Sequence, residues 1–335
     1  MQKLLLIDGN AMIHRAYHAL PPLTNLQGQP VQAVYGFFSM LLNVLQDQKP
    51  THLVVCFDRG KPTIRQTMFA GYHAHRPKLS DDFVPQIVLI HELLEKMKVA
   101  IFELDGYEGD DLIGTIASRA IFSDVGPASF HPHPTASLTS FTPGARRGAP
   151  TRVTHSLAED REVIILTGDR DMLQLVNPQV KVLMPLVGIS KTVLFDEKAV
   201  EEKYGVHPRQ FIDYKALIGD PSDGYSGVTG IGPKTAASLL QKYETFENLY
   251  HHVGELQEKV GLKLATDAEQ AALAKKLATI ITDVPIQFAI NNCACSDFDT
   301  KSLLEGFKRQ GFKSLTVRFE SVFGSEQNDE QLGLL

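Results

Sequence analysis

Nine acidic residues stand where short apolar runs end or helical patterns begin. Asp8 follows LLLI, Asp58 follows LVVCF, and Asp169 and Asp171 follow VIIL in TGDRD. Glu108, Asp110 and Asp111 lie in GYEGDDLIGTIA, and Asp220 and Asp223 in GDPSD. Glu108 and Asp111 are three apart, which puts both on one helix face aimed at one pocket. Taken singly, each of these is a helix cap or a solvated turn residue. Together they would repel one another unless cations neutralise them, and all-oxygen ligand sets suit Mg²⁺ or Mn²⁺ rather than zinc. Two divalent ions are the economical inference, and such a pair suits in-line hydrolysis of a phosphodiester. No Ser-His-Asp or Cys-His arrangement competes with it.

A second constellation suits phosphates. GVTGIGPKTAASLLQKY, residues 227–243, joins Gly230 and Gly232 to Pro233 at a first helical position, with Lys234 and Thr235 behind it. This is a helix-hairpin-helix signature, in which turn amides, the helix N-terminus and the lysine all face a phosphate. A Walker A reading fails because its spacing is absent. Between Asp58 and Glu108, Lys61, Arg65, Arg76 and Lys78 interleave with Phe69, Tyr72, His73 and His75. Cations that track a backbone beside rings that stack on bases suit single-stranded nucleic acid, although alone the stretch reads equally as a solvated loop.

Elements that could position these residues alternate through the first half. Apolar runs at Leu4–Ile7, Leu53–Phe57, Ala100–Phe102 and Val163–Leu166 read as strands, with amphipathic helices at 34–45 and 84–97 between them. That alternation predicts an α/β domain with a mainly parallel sheet, whose carboxyl edge would carry Asp8, Asp58 and Asp169. After Phe195 the pattern turns helical, with candidates at 197–203, 208–217, 233–242 and 268–281, so a smaller all-α region is expected. Residues 122–158 are rich in Pro, Ser and Thr without apolar period and read as a disordered insertion. His131 and His133 within it lack the neighbours of a metal site. The expected domains are a core at 1–176, a DNA-binding domain at 177–290 and a C-terminal extension at 291–335.

The chain has 335 residues, 43% of them hydrophobic and 21% charged, enough for a sizeable core. Three cysteines give no disulfide framework, and no run approaches the ~20 apolar residues of a membrane span. These features predict a cytoplasmic protein. The net charge of −6 argues against a nucleic-acid binder, but without the nine singled-out carboxylates it becomes +3.

In order and type, LLLIDGNAMIHRAYHALP, VVCFDRGKPTIR, GYEGDDLIGTIA, ILTGDRDMLQLV, YKALIGDPSD and GVTGIGPKTA resemble the 5′-nuclease domain of bacterial DNA polymerase I and related flap endonucleases. The resemblance implies a PIN-like α/β core, a helical arch over the site and a helix-hairpin-helix domain. It implies two Mg²⁺ ions, replaceable by Mn²⁺, one held by Asp8, Asp58, Glu108, Asp110 and Asp111, the other by Asp169, Asp171, Asp220 and Asp223. It makes Asp8, Asp58, Asp111, Asp169, His73 and Arg76 catalytic. It assigns DNA contacts to Arg65, Tyr72, His73, Arg76, Lys78, Gly230, Gly232, Lys234 and Thr235. The expected partners are DNA with 5′ ends, flaps or RNA-primed junctions and a separate DNA polymerase, and the chain is expected to be a monomer. No polymerase sequence follows, so a free-standing nuclease or a fragment is expected. His73 stands where the family usually has lysine, and SDGYSGV where it usually has SDN followed by proline. A catalytically weak junction binder and an RNase of the same fold are the competing readings.

Overall fold

The computed structural model describes residues 1–74, 80–121, 160–189 and 191–323; the insertion at 122–158, with Arg76 and Lys78, lies outside the described residues. The chain runs β1 (Gln2–Asp8), α1 (Gly9–Ala19), α2 (Gln32–Gln48), β2 (His52–Cys56), α3 (Ile64–Met68), α4 (Phe83–Lys96), β3 (Ala100–Phe102), α5 (Gly109–Ala120), β4 (Arg161–Leu166), β5 (Val180–Val187) and β6 (Lys191–Phe195). These six strands form one sheet in the order β3-β2-β1-β4-β5-β6. All neighbours are parallel except β5 and β6.

Burial of both faces explains why the strand sequences are continuously apolar. In β1 and β2, Leu4, Leu6, Val54 and Cys56 pack into one core, and Leu5, Ile7, Leu53 and Val55 into the other. This is the two-residue period of a strand covered on both sides. Leu5 pairs with Leu53 on one flank and Ile164 on the other, so β1 is central. The strand order reverses around it, and the carboxyl ends of β1, β2 and β4 open onto the crevice where such sheets place their sites.

Among the described residues after β6 the chain is helical apart from a small hairpin: α6 (Glu197–Tyr204), α7 (Phe211–Ile218), β7 (Gly219–Asp220), β8 (Tyr225–Ser226), α8 (Pro233–Tyr243), α9 (Phe246–His251), α10 (Glu258–Thr266), α11 (Ala268–Ala278), α12 (Thr300–Gln310) and α13 (Lys313–Phe323). Two expected boundaries do not follow the packing. A break at 176/177 would sever β5 and β6 from the sheet they complete. The expected extension at 291–335 packs, through residue 323, on the sheet face that carries Leu5 and Ile7. Leu303, Phe307, Leu315 and Phe319 are buried with Phe37, Phe38 and Leu93 against the sheet. The helical region also shares its apolar core with the other face, where Leu240 and Leu264 join Leu112 and Val163. Among the described residues between Asp58 and Phe83, the expected helical arch amounts to the five-residue α3 and turns at 70–74 and 81–82. No described helix is long and apolar enough to cross a membrane.

Candidate metal centre and nucleic-acid interface

Four carboxylates, Asp8, Asp58, Asp110 and Asp169, feel one another's charge at the carboxyl edge of the sheet. Asp8 ends β1 and caps α1, accepting the Ala11 amide at 2.9 Å and the Thr167 hydroxyl at 2.7 Å. Asp58, just beyond β2, accepts the Gly109 amide at 2.6 Å, which seats the first turn of α5 against that strand. A Cβ on Gly109 would lie 3.2 Å from the same oxygen, so glycine makes this approach easy. Asp110 follows in the first turn of α5. Asp169 donates its amide to Thr167 at 2.9 Å and accepts the Asp171 amide at 2.8 Å. The fully buried Thr167 thereby ties the ends of β1 and β4 together.

Charge is what sets these four apart. Burial, with the charges of Asp58 and Asp169 added, pushes the Asp8 carboxyl up to about 7. Burial and then Asp169, Asp8 and Asp58 raise Asp110 well above the carboxylate range, and burial and Asp223 raise Asp169. Among the described residues, no Lys, Arg or His forms an ion pair with Asp8, Asp58, Asp110 or Asp169. Desolvated, mutually repelling oxygens without a softer ligand fit a hard divalent cation such as Mg²⁺ or Mn²⁺.

The remaining five carboxylates have basic partners. Arg65 forms two hydrogen bonds to Asp111, at 2.9 and 2.8 Å, and lies 3.2 Å from Glu108. Its other donors reach the carbonyls of Leu277 and Thr279 at the end of α11. Arg65 was expected on DNA; instead it is 4% exposed and locks three elements together. Tyr72 is likewise interior, its hydroxyl donating to Glu108 at 3.1 Å. Asp111 was expected to hold a metal, but it is 1% exposed and also accepts the amides of Glu108 and Ile281. The capping box across Glu108 and Asp111 turns these side chains toward each other's backbone instead of outward together.

Asp171, Asp220 and Asp223 form a separate triad, with one oxygen from each within 4.8 Å of the others. Lys215 of α7, 6% exposed, bridges Asp171, at 2.6 Å, and Asp220. His73 Nε2 faces Asp223 at 3.0 Å, and its ring stacks on Tyr72 at 3.9 Å between centroids. Burial pushes Asp171 up to about 7, with Asp169 adding to it and Lys215 opposing. Gly224 explains one departure from the family pattern. It has φ +84°, and a Cβ there would meet the Gly71 carbonyl at 2.7 Å. Only glycine lets this turn close on the His73 segment, whose amide donates to the Asp223 carbonyl at 3.0 Å. Reasoning from sequence missed Lys215 and Thr167. A lysine within the apolar FIDYKALI, five residues before Asp220, was the available signal.

The hairpin is built as its sequence indicates. Val228 and Ile231 are buried anchors, whereas Gly230, Gly232, Lys234 and Thr235 are exposed. Gly230 takes φ +73°, Gly232 caps α8 and Pro233 occupies its first position. Lys263 of α10 donates to the Gly230 carbonyl at 2.8 Å, and Asp267 accepts the Thr229 amide at 2.7 Å.

Residues 3–126 match the family described as 5'-3' exonuclease, N-terminal resolvase-like domain, and residues 206–301 match 5'-3' exonuclease, C-terminal SAM fold. The chain is 36% identical over 327 residues to DNA polymerase I of Bacillus caldotenax, covering 97% of this chain and 33% of that protein. It is 34% identical over 332 residues to DNA polymerase I of Bacillus subtilis, covering 99% and 34%. The chain thus spans about a third of the length of these relatives. In fold it is similar to the bacteriophage T5 D15 flap endonuclease in a pseudo-enzyme-product complex with DNA and metal ions, with TM-score 0.60 and 14% identity, covering 96% and 98%. It is similar also to human GEN1 in complex with Holliday junction DNA, with TM-score 0.58 and 11% identity, covering 96% and 72%.

Proposed function

The chain belongs to the 5′-3′ exonuclease family and is a nuclease of that type, and on this premise we propose that it hydrolyses phosphodiesters at 5′ ends and 5′ flaps of DNA during replication and repair. Two Mg²⁺ ions are the cofactor, with Mn²⁺ able to replace them. The observation that carries this reading is the group of four carboxylates without a basic partner among the described residues, at the sheet's switch point, in a chain that also carries a hairpin with Lys234 exposed to solvent. Divalent ions held there supply charge neutralisation at the scissile phosphate and acidify water.

The chain's own residues do the positioning. Asp8, Asp58, Asp110 and Asp169 would hold the first ion, with the Thr167 hydroxyl, the Gly109 amide and the Asp171 amide fixing the side chains of Asp8, Asp58 and Asp169 in place. The amides around Gly230 and Gly232, with Lys234 and Thr235, grip duplex phosphates without reading bases. His73 stands beside the triad, with Nε2 on Asp223 and its ring stacked on Tyr72. Incubating the protein with a 5′-labelled flap, with Mg²⁺ or with EDTA, tests the proposal. Metal-dependent release of the flap is expected, whereas binding without cleavage would leave a junction-binding module.

A further inference from the structure

The metal-dependent reading leaves one buried cation without a role. Lys215 comes from α7, whose other described neighbours in FIDYKALI are largely buried apolar residues. Its ammonium enters the triad side on, 2.6 Å from Asp171 Oδ1 and in contact with Asp220. The Asp220 carboxylate is also held by its own turn, accepting the Ser222 amide at 2.8 Å, and the Asp171 amide donates to the Asp169 carboxylate at 2.8 Å. Removing water from three acids within 4.8 Å of one another is costly unless a cation is built in, and a lysine reaching from a helix is such a cation.

We propose that Lys215 is a resident counter-cation that sets the order of metal binding in this chain. The Asp171–Asp220–Asp223 triad has an ammonium built in among its three carboxylates, whereas among the described residues no Lys, Arg or His pairs with Asp8, Asp58, Asp110 or Asp169. A divalent ion approaching the triad therefore meets less attraction and a fixed positive charge, so the quartet fills first and the triad fills weakly. This rests on the metal-dependent reading above. Lys215 is a positioning residue, acting through Asp171 and Asp220.

Mn²⁺ titration of the full chain, following the spectrum of the free ion by electron paramagnetic resonance, tests it in the wild type, K215M and K215R. The wild type should show a tight and a weak class. In K215M the weak class should tighten by roughly tenfold or more, since a unit charge a few ångström from a divalent ion is worth that factor even at the dielectric constant of water. K215R should titrate like the wild type. Melting gives a second readout: K215M should melt below the wild type in EDTA, and saturating Mn²⁺ should close the gap. An unchanged weak class in K215M, or an equal deficit with and without Mn²⁺, overturns the proposal. Should K215M not fold, K215M/D220N, in which one carboxylate leaves with the ammonium, is expected to fold; its failure would mark Lys215 as a packing residue and also overturn it. If the wild type takes up no Mn²⁺, the functional reading falls. Uptake by K215M alone would then still support the counter-cation, and none by either would end both.

Discussion

Replacing Arg65 with Met separates a structural arginine from a DNA-binding one. The substitution removes two hydrogen bonds to Asp111, the contact with Glu108 and donors to the Leu277 and Thr279 carbonyls. Breaking a buried pair from one side costs ~3–5 kcal/mol because the remaining charge stays buried. Asp111 keeps two amide donors, from Glu108 and Ile281, which favours the lower end of that range. Each orphaned carbonyl adds ~1 kcal/mol unless water reaches it. A loss of about 4 kcal/mol is expected, and at ~1.5 °C per kcal/mol for a chain of this size the melting temperature should drop by about 6 °C. Urea unfolding followed by circular dichroism measures it. A cycle through R65M, D111L and R65M/D111L should then give a coupling of at least ~2 kcal/mol, since the double variant removes both charges. The salt dependence of R65M binding to duplex DNA should match that of the wild type. A loss below ~1 kcal/mol, or additive single effects, would refute the buried lock.

Lys234→Ala should weaken binding about equally on all duplex sequences and reduce the salt slope by about one, measured by anisotropy across a salt series. Asp8 and Asp171 ionise at about 7 in the folded chain, against ~3.9 when unfolded. The folded state therefore binds more protons between about pH 4 and 7, and stability in EDTA should fall as pH rises through that window. Melting curves at pH 6 and 8 should show this slope, reduced by Mg²⁺ and by Asp8→Asn, which keeps the helix cap. Gly224→Ala meets both a left-handed backbone and the Gly71 carbonyl, so a loss of about 2 kcal/mol in urea unfolding is expected.

Much of the site was legible because its elements are local. Strands buried on both faces are continuous apolar runs, and the acids that follow β1, β2 and β4 lie at its carboxyl edge. The hairpin was legible for the same reason, since its glycines, proline and lysine act within one turn. What escaped depends on distant partners. Nothing near Asp111 announces that Arg65, forty-six residues away, will neutralise it. Spacing along α5 placed Glu108 and Asp111 together correctly, but not which way they face. The docking of α12 and α13 against α2 and α4 is likewise a long-range event, fixed by bonds such as the Asp299 amide at the start of α12 to the Met97 carbonyl at the end of α4, at 2.9 Å. β5 and β6 carry lysines among their apolar residues and so resemble surface segments, yet they complete the sheet.

Single-turnover cleavage of a 5′-labelled flap by the wild type and Asp110→Asn, across an Mg²⁺ titration, tests the central claim most directly. Asp110 lies among the four carboxylates without a basic partner, and the substitution removes charge with little change of shape. The account predicts product from the wild type that rises with Mg²⁺ and vanishes in EDTA, and a loss of at least ~1000-fold in Asp110→Asn with flap binding retained. Equal product in EDTA, or an Asp110→Asn variant as fast as the wild type, would contradict it.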